Sequence, residues 1–463
     1  MTEKLTCISP VDGSVYVERE LANESQIQAT LDRATQAQRH WAALPVSERK
    51  AVCSMAVDHF VANKDQIAEE ISHQMGRPIQ YAPFEVNGFE ERARHMIDIA
   101  ESSLAPIYPE AKAGFTRFIQ REPLGVAFVI APWNYPYLTA VNAIMPALLA
   151  GNAVVLKHSA QTPLCAERMY QAFEQAGLPE GVFQYLHLSH GNTEKVIASP
   201  EINFVAFTGS VAGGKMVESA ASGRFIGVGL ELGGKDPAFI RADADLSHAI
   251  DTVADGAFFN SGQSCCGIER VYVQASVFDQ VVEGITAYAQ NQVLGSSLDS
   301  ATTMGPMVRP AAADFVRDQI IEAQSKGATL HVNQGAFELS QVGSAYMGPQ
   351  VLTNVSHDMR IMTEESFGPV IGIMSVEDDD QAISLMNDSE FGLTACVFTQ
   401  DEQTANQIGQ QVNTGTWFMN RCDYLDPALA WTGVGNSGRG CTLSSVGFEQ
   451  LTRPKSFHLK TEI

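Results

Sequence analysis

Between residues 125 and 234 the chain alternates short apolar runs with helix-patterned stretches, and few architectures accept that alternation. "GVAFVIAP" (125–132) is apolar without a break, as a strand covered on both faces must be. A helix-like stretch ending at Gly151 follows, then a second such strand, "NAVVLKHS" (152–159). "CAERMYQAFEQAG" reads as a helix closed by Gly177, and further strands come at "NFVAFTG" (203–209) and "FIGVGLELGG" (225–234). Strands and helices at this spacing predict a parallel, helix-covered sheet of the dinucleotide-binding type. A second alternating series runs from "RVYVQ" (270–274) to about residue 420, through "FGPVIGIMSV" (367–376) and "LTACVFT" (393–399), and predicts a second α/β domain. Upstream, residues 26–75 carry two or three helices. There Ile27, Leu31, Ala34 and Ala37 recur at helical spacing, and Gly76 and Pro78 in "MGRPI" break the pattern. A chain of 463 residues, 45% of them hydrophobic, holds enough core for two or more domains.

Charge and cysteine usage narrow the function. Thirty Lys and Arg stand against 53 Asp and Glu, a net charge of -23, which argues against a nucleic-acid partner and for solubility. The amino-terminal "MTEKLTCISPVDGSVY" has no apolar core behind a basic start and does not read as a signal peptide. The longest apolar stretch, "YLTAVNAIMPALLAG" (137–151), contains Asn142 and Pro146 and falls short of the ~20 apolar residues a membrane span needs. A soluble cytoplasmic protein with no membrane partner is the expectation. The eight cysteines form no Cys-x-x-Cys, and no His-rich cluster completes a zinc set, so no metal site is expected. Most of the thiols read as small buried hydrophobes.

Several segments carry groups with chemistry, each with a structural alternative. "FFNSGQSCCGIER" (258–270) sets Cys265 beside Cys266, which suits a nucleophile in a glycine-bearing segment or a pair of packing residues. "GLELGGKDP" (229–237) puts Glu231 at an apolar strand end, as a general base of raised pKa or as a carboxylate pairing with Lys235. Asn134 in "APWNYP" (131–136) offers an amide to an oxyanion, or is a turn residue. "FTGSVAGG" (207–214) opens a helix whose N-terminal amides suit a pyrophosphate, although it lacks Gly-x-Gly-x-x-Gly. Lys157 ends a strand at the edge where nucleotides bind in open sheets, and "EESFGPV" (364–370) adds Glu365 and Phe367 for a ribose and an aromatic ring.

In chain order stand "PWNYP", "LKHSAQTP", "FTGS", "LELGGKDP", "GQSC", "EESFGP" and "GVGNSGRG". This series resembles the NAD(P)-dependent aldehyde dehydrogenase superfamily over nearly the whole chain, and the pairing of "ELGGKDP" with "GQSC" about thirty residues later is its most specific part. The resemblance implies an α/β fold with a Rossmann-type cofactor domain (residues 1–105 and 124–233) and an α/β catalytic domain (234–436). It adds a small oligomerisation sheet from 106–123 and 437–463, hence a homodimer or homotetramer. It makes Cys265 the nucleophile that forms a thiohemiacetal and then a thioester, Asn134 the oxyanion donor and Glu231 the base that activates water. NAD or NADP would be held by Trp133, Lys157, Gly209, Ser210, Gly214, Leu232, Gly233, Glu365 and Phe367.

One departure bears on the cofactor. NAD-preferring relatives often carry a glutamate three residues after the lysine, and here that position is Ala160, so NADP is expected to be tolerated and even preferred. By position, Tyr135, Leu138, Asn142, Phe259, Ser264, Cys266, Leu425 and Trp431 resemble the wall of the substrate tunnel, mostly apolar and aromatic. Arg421 in "NRCDYLDP" stands as a carboxylate binder for a semialdehyde or as a surface arginine. Cys266 stands as a packing residue or as a partner that protects Cys265 from over-oxidation. The competing reading is a non-redox thiol esterase built on Cys265 and Glu231 alone.

Overall fold

The computed structural model describes residues 3–463. Three helices, Glu24–Ala43, Val46–Val61 and Lys64–Met75, fill the first helical region, with Ile27, Leu31 and Ala34 buried at the expected spacing. Gly76, at φ 88°, closes the third. The helix Pro83–Leu104 follows. Its core face carries Glu85 and Arg92 among Val86, Phe89, Ala93 and Met96, so hydropathy alone hides it.

Two sheets carry the rest. The first has six strands, with Val126–Ala131 between Ala153–His158 on one side and Ile202–Thr208 on the other. Phe183–Tyr185 and Gly227–Glu231 extend it outward. These five pair in parallel. The chain runs outward from Val126–Ala131 in one direction, then returns to build the other side. The carboxyl ends of Val126–Ala131 and Ile202–Thr208 therefore flank a switch point, where open α/β sheets bind ligands. Every residue of Val126–Ala131 is buried, which is why it reads as an unbroken apolar run. The helix Pro136–Ala150, also buried almost throughout, covers that strand and ends at Gly151 (φ 94°). No helix among the described residues is long and apolar enough to cross a membrane.

The second sheet has seven strands, with Asp236–Ile240 and Ile268–Gln274 at its centre and Thr394–Phe398 and Val370–Val376 beside them. The strand expected over 225–234 is shorter, Gly227–Glu231, because Leu232, Gly233, Gly234 and Lys235 form the crossing from the first sheet to the second. Phe115–Pro123 and Thr452–Lys460 pair antiparallel as a separate ribbon. Only the end of segment 437–463 enters it. Gly438–Arg439 adds an antiparallel edge to the six-stranded sheet instead, against Leu230 and Glu231.

Candidate active site

The crossing between the sheets is where the candidate residues gather. Two cavities, of about 580 and 430 Å³, lie on either side of it, and Thr208, Glu231, Leu232 and Cys265 border both. Glu231 ends its strand opposite Thr208. Its Oε2 accepts from the Thr208 hydroxyl at 3.0 Å and its Oε1 from Thr442 at 2.5 Å. Burial pushes its carboxyl above the ordinary range, and those two hydrogen bonds hold it partly back. Lys235 does not pair with it; its ammonium is buried against Glu269 at 2.6 Å.

Cys265 sits three residues before the strand Ile268–Gln274, in a loop fixed by unusual backbone. Asn260, Ser261 and Gly262 take φ of 53°, 56° and 70° in succession, turning the chain sharply out of the helix Leu246–Phe258. A side chain at Gly262 would meet the Gly368 carbonyl at 2.2 Å, so only glycine lets this loop lie against the Glu365–Phe367 turn. Gln263 is clamped by the Val308 amide, and its carbonyl accepts from Asn134 Nδ2 at 3.2 Å. The Asn134 amide thus points at the backbone just ahead of Cys265. Asn134 is held in turn by Arg77, whose guanidinium donates to the Asn134 carbonyl at 2.6 Å, lies over the Tyr135 ring and pairs with buried Glu85. Glu85 also accepts from the Tyr137 and Leu138 amides at 2.9 and 3.0 Å. Nothing in the sequence marked Arg77, Glu85 or Thr442, and Thr208 stood in "FTGS" with no role toward Glu231.

The smaller cavity is lined by Trp133, Asn134, Gly209, Ser210, Leu232, Gly233, Glu365 and Phe367. Ser210 caps the helix Val211–Ala221 through its hydroxyl, leaving the first turn of that helix at the cavity edge. Glu365 lies directly over Gly233, where an added Cβ would meet its carboxylate at 2.1 Å, and accepts from the Gly234 amide at 3.1 Å. Burial, then the charge of Glu269, pushes the Glu365 carboxyl up to about 8. The Phe367 ring stands edge-on to Trp133 at 5.7 Å. Gly214 packs against Leu232 behind the cavity. Lys157 and Ala160 lie outside its lining; burial lowers the Lys157 ammonium, and it has no hydrogen-bond or ion-pair partner among the described residues.

The larger cavity brings together Tyr135, Leu138, Asn142, Phe259, Ser264, Cys266, Leu425 and Trp431. Arg421 does not border it; its guanidinium is exposed and stacks 3.6 Å above the Tyr424 ring. Asp423 and Arg92 do border it. All eight cysteines are free thiols.

A thiol and a buried carboxylate shared by two cavities at a sheet switch point define an enzyme that works on one ligand with the help of another. A family model described as the aldehyde dehydrogenase family matches residues 1–457. A succinate-semialdehyde dehydrogenase (NADP(+)) of Deinococcus radiodurans is 33% identical over 97% of this chain and 93% of its own. A betaine aldehyde dehydrogenase of Agrobacterium fabrum is 31% identical over 98% and 92%. The structure of an NADP-dependent glyceraldehyde-3-phosphate dehydrogenase from Bacillus halodurans, in complex with NADP, superimposes with a TM-score of 0.93 at 32% identity, covering 99% of this chain and 96% of that one. The chain belongs to the aldehyde dehydrogenase family. It is an oxidoreductase that oxidises an aldehyde with NAD or NADP.

Proposed function

We propose that Cys265, Asn134 and Glu231 carry the reaction in the roles their positions suggest. The aldehyde occupies the larger cavity and the dinucleotide the smaller one. The observation that carries this assignment is that Cys265 and Glu231 border both cavities. The cradle suits a dinucleotide: a helix N-terminus at Ser210, a carboxylate over Gly233 and an aromatic pair at Trp133 and Phe367. When bound there, NAD(P) supplies the hydride acceptor.

The Cys265 thiolate attacks the carbonyl carbon, forming a C–S bond while the π pair moves to oxygen. The Asn134 amide and the Cys265 N–H donate to that oxyanion. When its C=O bond reforms and the aldehydic hydrogen departs with its electron pair, a thioester remains on Cys265. Glu231 then takes a proton from water, the hydroxide adds to the thioester, and the C–S bond breaks to return the thiolate and the acid. Thr208 and Thr442 aim the Glu231 carboxylate.

NADP is the favoured cofactor on this reading. Lys157 is a cation without a partner among the described residues, and Ala160 brings no carboxylate to repel a 2′-phosphate. The separate ribbon of Phe115–Pro123, half-buried, and Thr452–Lys460, largely exposed, supports assembly into a homodimer or a dimer of dimers. The test is a panel of aldehydes followed by nicotinamide reduction, with NAD and NADP in parallel and with Cys265→Ala as control. Hydrolysis of thioesters or esters without any nicotinamide reduction would replace this reading by a thiol esterase.

A further inference from the structure

The larger cavity holds a cation with no ion-pair partner among the described residues. Arg92 lies on the helix Pro83–Leu104, is 8% exposed, and borders the cavity. Its Nη1 donates to the Leu138 carbonyl at 2.7 Å and to Asn142 Oδ1 at 3.2 Å, and no carboxylate pairs with it among the described residues. Burial lowers its affinity for the proton, while the charges of Glu85 and Glu231 favour its charged form. A guanidinium cannot escape burial by losing its proton, so an unpaired one is costly.

Asn142 adds a second free donor. It is 1% exposed, its Oδ1 is turned to Arg92, and its Nδ2 has no hydrogen-bond partner. An unpaired guanidinium and an orphaned amide thus border one cavity, and what both lack is an anionic acceptor. The acids of the cavity do not serve. Glu85 is taken by Arg77, Glu91 accepts from the Tyr424 hydroxyl, and Asp423 accepts from Ser264 and Cys266. Asp255 accepts from Tyr288, and burial shifts Asp255, Asp423 and Glu231 toward their neutral forms.

We propose that Arg92 and Asn142 bind the carboxylate of the substrate, so that the enzyme selects aldehydes with a carboxylate at the far end, the semialdehydes, over neutral and cationic ones. This rests on the reading that the larger cavity delivers an aldehyde to Cys265. It moves the carboxylate-binding role from Arg421, which stacks on the cavity residue Tyr424 but does not itself border the cavity, to an arginine on a different element. A carboxylate there replaces missing partners with charge-assisted hydrogen bonds, and a neutral chain end leaves both donors empty.

The test measures kcat/KM for succinic semialdehyde, butanal and betaine aldehyde. The parent should prefer the semialdehyde to butanal by at least about tenfold, chiefly through KM. Arg92→Gln should lower that ratio by about 100-fold, and Arg92→Lys should restore part of it. Because Arg92→Gln also frees the Leu138 carbonyl, Asn142→Asp is the second variant. It hands Arg92 an internal carboxylate of nearly the same shape and should lower the same ratio. A ratio unmoved by Arg92→Gln and Asn142→Asp overturns the proposal, as does a parent that prefers butanal or betaine aldehyde. A parent that reduces nicotinamide with none of the three aldehydes overturns the underlying reading as well.

Discussion

The Cys266 thiol donates to Asp423 Oδ1 at 2.9 Å, the same oxygen that accepts from the Ser264 hydroxyl at 2.9 Å. Asp423 reaches this position from a loop residue with φ of 46°. The contact separates the two neighbouring thiols. Donation of its S–H to Cys265, burial and the charge of Asp423 all hold Cys266 well above the ordinary thiol range, so it stays protonated. A protonated, buried thiol is a poor nucleophile toward a sulfenic acid, which argues for Cys266 as a wall of the cavity and not as a guard for Cys265.

Limiting iodoacetamide should therefore label Cys265 and leave Cys266 unmodified, read by peptide mass spectrometry. Cys266→Ser keeps a donor for Asp423 and should hold kcat/KM within about threefold of the parent. Its inactivation by peroxide should proceed at the parental rate. Much faster inactivation would show that Cys266 resolves an oxidised Cys265 after all.

Glu231 is expected to act after the redox step. Glu231→Gln should cut steady-state turnover by about 10²–10⁴-fold while leaving a first-turnover burst of reduced nicotinamide, resolved by stopped flow. The base works only when ionised, and burial raises its pKa, so kcat should fall on the acid side at a pH above the ordinary glutamate range. The hydrogen bond from Thr442 favours the ionised form. Thr442→Val removes it, and the acid limb should move to higher pH; a limb that stays in place or moves down would rule out this role for Thr442.

Much of this architecture was legible because parallel strands buried on both faces must be apolar throughout. "GVAFVIAP" and "NAVVLKHS" fall within a residue of the observed strands for that reason. The helix Pro83–Leu104 was not legible, since two of its core positions are charged and its ion-pair partner Arg77 lies in a turn. The same blind spot hid Arg92. Local reading also left Glu231 free to pair with Lys235, and only the fold shows Lys235 committed to Glu269. Asn134, Glu231 and Cys265 became a set through the order of motifs along the chain. Thr208 lay inside "FTGS", read only for a pyrophosphate, and Thr442 stood outside that order, because a threonine that aims a carboxylate looks like any other threonine.

Cofactor preference should respond to a single charge. Ala160→Glu places a carboxylate near the partnerless Lys157 and should lower the NADP-to-NAD ratio of kcat/KM by at least about tenfold through repulsion of the 2′-phosphate. A parent that strongly prefers NAD would defeat the premise before the variant is made.

Glu365 links stability to pH. Its carboxyl, pushed up to about 8 mainly by burial, keeps a proton in the native state that the unfolded chain releases near the ordinary glutamate value of 4.5. Its contribution to stability is thus present below the unfolded pKa and is lost as pH rises toward and through 8. Glu365→Gln is neutral at every pH. Without cofactor, the parent's Tm should fall more than the variant's between the acid and alkaline ends of this window. Parallel Tm curves would show that Glu365 ionises normally in the native protein.

The turn that carries Glu365 and Phe367 hangs on a buried ion pair. Glu269 accepts from Lys235 Nζ at 2.6 Å and from the Ser366 and Phe367 amides at 2.8 Å each, and Lys235 also donates to the Ser366 hydroxyl at 3.0 Å. Phe367 sits at φ 52°, a conformation a bulky side chain holds only when its surroundings impose it. Glu269→Gln keeps the shape but leaves Lys235 buried without a counter-charge, which should cost about 3–5 kcal/mol in urea unfolding. It should also raise KM for the dinucleotide more than KM for the aldehyde, because Glu365 and Phe367 line the smaller cavity and neither borders the larger one. Lys235→Met with Glu269→Leu removes both charges together and should regain much of the stability, yet not the dinucleotide KM, since the two amides would still lack their acceptor. A double variant that regained both would show that the ion pair serves stability alone and that the turn holds its shape without it.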